Sequence, residues 1–98
     1  MYDIEVLKHL AIIDRKYHAL IQQTIAQQLN YQPDVETRNR KPLQRPSSIG
    51  ANWELRCGPN NRFRVLYRIA AIGHEIYVLA IGIKDGNRLL IGGEEFEL

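Results

Sequence analysis

The stretch WELRCGPNNRFRVLYRIAAIGHEIYVLAIGIK, Trp53 to Lys84, holds the chain's clearest strand periodicity, its densest arginine run and its longest apolar run. In its first five residues Trp53, Leu55 and Cys57 point one way, and Glu54 and Arg56 the other. From Arg62 to Ile69, the residues Phe63, Val65, Tyr67 and Ile69 alternate with Arg62, Arg64, Leu66 and Arg68. Alternation of period two marks a half-buried strand, because successive side chains leave opposite faces. Gly58-Pro59-Asn60-Asn61 between the runs is rich in turn formers and predicts a hairpin. In the simplest register Arg56 and Arg64 share its polar face, with Arg62 and Arg68 alongside. The third run, Ile76 to Ile83, is apolar at both parities, as expected of a strand covered on both sides. The expectation is a sheet with one apolar face and one arginine-lined face.

Ninety-eight residues allow one domain with a modest core. With 45% hydrophobic and 24% charged residues the composition is that of a globular chain. The net charge of +2 hides an asymmetry. Between Arg38 and Arg68 there are eight basic residues and one acid, Glu54, so this segment carries +7 and leaves −5 elsewhere. A concentrated positive field suggests a localised polyanion site. The lone Cys57 excludes an internal disulfide and fits a reducing compartment; its strand parity makes it a core residue. Met1-Tyr2-Asp3 opens acidic, without the basic start of a signal peptide, and no apolar run approaches a bilayer span. The expected location is the cytoplasm, with no membrane partner.

Upstream, Asp3 is a helix N-cap candidate, with Glu5 in the first turn. Val6, Leu7, Leu10, Ala11 and Ile13 recur at helical spacing and predict a first helix from about Ile4 to Ile13. Asp14 reads as the cap of a second helix, Arg15 to Leu29, whose stripe is Tyr17, Leu20, Ile21, Thr24, Ile25 and Leu29. Asn30-Tyr31-Gln32-Pro33 ends it. Asp34 to Asn52 reads as a long ordered loop, or a short edge strand near Lys41-Leu43, with Ser47 to Gly50 its loosest point. Its basic core, Thr37 to Lys41, is expected to offer backbone amides and cations to a phosphate. Ala71-Ile72-Gly73-His74 is predicted as the turn into the central strand, and Asp85-Gly86-Asn87 as the next turn. A short last strand at Arg88 to Ile91, a bend at Gly92-Gly93 and an acidic end, Glu94 to Leu98, complete the chain.

His9, His18 and His74 lack ligand spacing, and one cysteine cannot complete a zinc site, so no metal and no cofactor are expected. No Gly-Lys-Ser/Thr follows Gly92-Gly93, which excludes a phosphate loop. Ser47 and Ser48 have no neighbour built to orient a base. Arginine and lysine on a strand face remain, with Lys84 where the central strand ends. Guanidinium groups hold phosphates bidentately and stabilise the charge of a phosphoryl transition state. Arginine is a poor proton carrier, so the proton-transfer candidates are Lys84, Glu54, Glu94 and Glu95.

The ordered set Asn39-Arg40-Lys41-Pro42-Leu43, Trp53-Glu54-Leu55-Arg56, Arg62 to Tyr67, Val78 to Lys84 and Ile91-Gly92-Gly93-Glu94-Glu95 resembles the RelE/ParE superfamily of type II toxin–antitoxin toxins. The match runs from about Asp3 to the C-terminus. The resemblance implies an α+β fold, with an N-terminal helical hairpin packed on a twisted antiparallel sheet of three to four strands. It implies an mRNA endoribonuclease that cuts in the ribosomal A site by 2′-OH attack. The implied partners are a cognate antitoxin, mRNA and the ribosome, with a homodimer or toxin–antitoxin hetero-oligomer as the assembly. Arg64 falls on the family's phosphate-stabilising arginine, and Lys84 on a basic residue at the end of the next strand, a candidate proton donor. Arg56 shares the predicted face; Arg38, Arg40, Lys41, Arg62, Arg68 and Arg88 are the expected RNA contacts. Asn52 and Glu54 stand where some members carry lysines, and no tyrosine follows Tyr77. The family alternatives are a ParE-like DNA gyrase poison and a degenerate, non-catalytic antitoxin-binding module. Members usually open with a strand that would end near Met1-Tyr2: either the chain starts further upstream or this member lacks that strand. A missing strand would expose a sheet edge or apolar surface for an antitoxin or a second copy to cover.

Overall fold

The computed structural model describes residues 1–30, 32–70 and 75–97. The predicted turn Ala71-Ile72-Gly73-His74, and Tyr31 and Leu98 of the predicted helix end and acidic tail, lie outside the described residues. The chain is α+β: two helices on one face of a six-stranded sheet. Helix α1 is Glu5–Ile12, and α2 is His18–Leu29 after a 3-10 turn at Arg15–Tyr17. Strands follow as β1 (Arg40–Pro42), β2 (Trp53–Cys57), β3 (Phe63–Ile69), β4 (Ile76–Asp85), β5 (Arg88–Ile91) and β6 (Glu94–Phe96). Each pairs antiparallel with the next, so the sheet order is the chain order.

The helix starts follow local chemistry. The Asp3 carboxylate accepts the Glu5 amide at 2.9 Å from one residue ahead of the N-cap of α1, which is Ile4. The Asp14 carboxylate accepts the Lys16 amide at 3.1 Å, capping the 3-10 turn rather than α2, whose N-cap is Tyr17. These bonds satisfy N–H groups that have no partner within the helix. The buried stripes are narrower than the sequence pattern. Val6 and Leu10 face the sheet from α1, whereas Leu7 is 71% exposed. Ile21, Ile25 and Leu29 face it from α2, while Leu20 is exposed. Both stripes join Leu55, Phe63, Val65, Tyr67, Val78 and Ile81 in the main core, which also takes in Cys57. Burial pushes the Cys57 thiol up to about 11, against the opposing pull of Arg64, so it stays a protonated core residue.

Six strands stand where three to four were expected: β1 is the short edge strand that the sequence offered near Lys41-Leu43, and β6 is an addition. β1 is three residues long and pairs Arg40 with Leu55, Lys41 with Glu54 and Pro42 with Trp53. β6 turns back from β5 at Gly92 and Gly93, whose φ values of 62° and 83° suit glycine in a tight hairpin turn. Ser47 to Gly50 forms a bonded turn: the Ser47 hydroxyl accepts the Ala51 amide at 3.0 Å, and the Ser47 amide donates to the Ala51 carbonyl at 2.9 Å.

The second sheet face carries more than arginine. Ala51, Leu66, Ala80 and Leu89 form a second buried cluster, with Leu43, Leu79, Ile91 and Phe96 packed against it. This cluster covers the other side of β4, which explains why that strand is apolar at both parities.

Met1 to Asp3 occupies part of the edge expected to lie open. It runs parallel to β4: the Met1 ammonium donates to the Ile76 carbonyl, the Val78 amide to Met1 and the Asp3 amide to Val78, at 2.6, 2.7 and 2.8 Å. Further along, the Ile81 amide donates to His9 Nδ1 at 3.3 Å. Burial lowers the His9 pKa, against the opposing pull of Glu5 and Asp3. A histidine that accepts through Nδ1 must be neutral there, so the folded protein binds the proton less readily than the unfolded chain. The stabilisation is therefore complete above the unfolded value of about 6.5 and is lost as pH falls through it toward the folded value. Urea midpoints measured from pH 7.5 down to pH 5.5 are expected to fall more steeply for the wild type than for His9→Gln. Parallel curves would count against this role.

Candidate anion-binding site

The β2–β3 hairpin has the expected register, with Arg56 directly opposite Arg64 and Leu55 opposite Val65. Its turn is built from left-handed residues: Gly58 at φ 82°, Asn60 at 55° and Asn61 at 52°. Asparagine tolerates that region better than other side chains do. The turn thereby presents the Asn61 carbonyl, which accepts from Arg64 Nε at 3.1 Å.

Glu54 organises the pair. Its Oε1 accepts from Arg56 Nε at 3.0 Å and from Arg64 Nη1 at 3.1 Å. Glu54 is 3% exposed, while the side chains of Arg56 and Arg64 are 29% and 13% exposed. One carboxylate between two guanidiniums leaves a net +1, with the Arg64 fork held at two of its nitrogens. The other N–H donors of both arginines have no hydrogen-bond partner among the described residues. A pre-set guanidinium loses less entropy on gripping a phosphate than a free one. Glu54, one of four proton-transfer candidates in the sequence, is the clamp that sets the two arginines.

The other expected residues divide. Gly82 of β4 pairs with Arg64, and Lys84 lies two residues further along the strand, on the same face and half-buried. The Lys84 amide donates to the Arg62 carbonyl at 2.7 Å, which brings exposed Arg62 beside it. Lys41 sits opposite Glu54 and, with Arg45 and Glu36, lines a polar cleft that reaches the Glu54 carboxylate. Arg38 is exposed on the approach to β1.

Arg40 does not join them. It pairs with Leu55 on the helix face, is 8% exposed and donates through Nη1 to the Gln28 carbonyl of α2. Its position as an RNA contact is therefore corrected to a structural tie between β1 and α2. The amides of Asn39 and Arg40 are likewise taken by the Thr37 hydroxyl, at 3.2 and 3.1 Å, and are not free for a phosphate. Arg68 lies 4.5 Å above the Tyr77 ring, and Arg88 pairs with Asp85 at 3.1 Å beyond the hairpin end of β4. Glu94 and Glu95 line a cleft with Asp3, Glu5 and His9, and Glu94 stands three strands from Arg64 in the same cross-strand row.

Among the described residues no group of three histidine, cysteine or acidic side chains could hold a metal ion, and no helix is long and apolar enough to cross a membrane. No family model, curated protein or solved structure matches this chain.

Proposed function

We propose that the protein is the toxin of a type II toxin–antitoxin system of the RelE/ParE kind, acting as an mRNA endoribonuclease. The observation that carries this reading is the clamped pair, Arg56 and Arg64, on a sheet face that also presents Lys84 and Lys41. Two helices laid on an antiparallel sheet fit the architecture that the sequence resemblance implies. In this reading Arg64 and Arg56 neutralise the scissile phosphate, and Lys84 delivers a proton to the leaving oxygen. Arg62, Lys41 and Arg38 hold the flanking backbone. Antitoxin and ribosome are the partners.

A second reading has one observation in its favour. The Glu54 carboxylate, hydrogen-bonded to both arginines, is engaged in holding them rather than free to act as a base. A poison that acts by binding a protein such as DNA gyrase would need none.

Brief induction in a bacterial host, followed by primer extension across reporter mRNAs, separates the two. The nuclease reading expects growth arrest with codon-phased cuts, both lost in Arg64→Ala; removing one transition-state cation typically costs about a hundredfold or more. Arrest with intact transcripts would transfer the assignment to a protein target.

A further inference from the structure

The second sheet face has an acidic end on the β5–β6 side of the arginine clamp, with Ile91 two strands and Glu94 three strands from Arg64. There a cleft of about 350 Å³ opens between the start of α1 and strands β4 to β6. Its floor is apolar, made by Leu79, Ala80, Ile91 and Phe96, with Ile49 of the long loop on one side. Its rim carries four carboxylates: Asp3, Glu5, Glu94 and Glu95. No lysine or arginine lines it. The neighbouring Lys8 is drawn to Glu5 at 3.6 Å, and the other three acids form no ion pair among the described residues. β6 ends the sheet order, so among the described residues its outer edge has no strand beside it.

We propose that this cleft is a docking site for an extended segment of a partner protein in which large apolar residues alternate with lysine or arginine. An apolar floor rewards apolar side chains, and four carboxylates around it favour flanking cations. The same charge repels nucleic acid, anionic lipid and acidic peptides. The free edge of β6 offers main-chain pairing to an extended segment, whose alternate side chains then reach the floor. The site is separate from the arginine clamp, and the proposal stands whether or not the nuclease reading holds.

Fluorescence anisotropy tests it with three labelled peptides: alternating leucine and lysine, the same with glutamate for lysine, and the same with alanine for leucine. The leucine–lysine peptide is expected to bind, and both others at least about tenfold more weakly, as loss of either contribution implies. Phe96→Ala and the pair Glu94→Lys with Glu95→Lys are each expected to weaken binding about tenfold, with Arg64→Ala without effect. Thermal melts check folding, and Ile49→Ala, at an exposed loop position, serves if Phe96→Ala does not fold. Absence of binding, equal binding of the alanine peptide, or indifference to Phe96 and Ile49 would overturn the proposal. So would a dimer in sedimentation that disappears in the Glu94→Lys/Glu95→Lys variant, which would make a second copy the occupant.

Discussion

Replacing Glu54 by alanine is expected to lower the unfolding free energy by about 3 kcal/mol. The substitution leaves Arg56 and Arg64 directly opposite each other, with no counter-charge and little water around Arg64. Breaking a buried pair from one side typically costs about 3–5 kcal/mol; the partial exposure of both arginines places this case at the lower end. Urea denaturation provides the measurement. The triple variant Glu54→Leu, Arg56→Met, Arg64→Met is expected to recover most of the loss, because it removes the stranded charges as well. If Glu54→Ala unfolds at the wild-type midpoint, the carboxylate is not the clamp described above.

The second large effect is at the turn that carries Arg64. Gly58→Ala is expected to destabilise by about 3 kcal/mol or more. Gly58 has φ 82° and ψ −179°, a region essentially reserved for glycine. A Cβ there would stand 2.3 Å from Phe63 Cδ2, and the Phe63 ring is fixed in the core against Tyr17, with ring centroids 5.2 Å apart. Neither strain nor overlap can relax without moving the core. Gly50→Ala is the control: its φ is also positive, at 88°, but nothing lies within 4 Å of the added carbon. That variant is expected to lose only about 1 kcal/mol, so equal losses at the two positions would remove the packing argument.

What could be read from the sequence was what its periodicity carries. The alternation across Trp53 to Ile69 sets the parity of the hairpin register, because a one-residue slip would take Leu55, Val65 and Tyr67 off the core face, and the short turn at Gly58 to Asn61 sets the rest. Arg56 and Arg64 therefore meet as expected. β1 and β6, at three residues each, are too short to show a period, and Glu94-Glu95 has little strand propensity of its own. β6 exists because the Gly92-Gly93 turn folds it onto β5. Leu7 and Leu20 fit a helical stripe but lie at its margin, beyond the reach of the sheet.

Arg40 and Glu54 show the same limit for the site. Both sit in the basic segment, where the sequence makes one an expected RNA contact and the other a proton-transfer candidate. The pairing of Arg40 with Leu55 puts it among core positions, where its charge can serve only the end of α2. Glu54 is the lone acid in a segment of +7 and shares the parity of Arg56. That combination is a legible signal for an internal counter-ion.

The most direct test of the clamped arginines as an anion site is anisotropy of a short labelled single-stranded RNA against purified protein. The titration is repeated between about 50 and 200 mM salt for the wild type and Arg64→Ala. The account expects weaker binding by the variant at every salt concentration, and a log–log salt slope shallower by about 0.7, the counterion released by one phosphate contact on a single strand. An unchanged affinity and slope, with the variant folded, would contradict it.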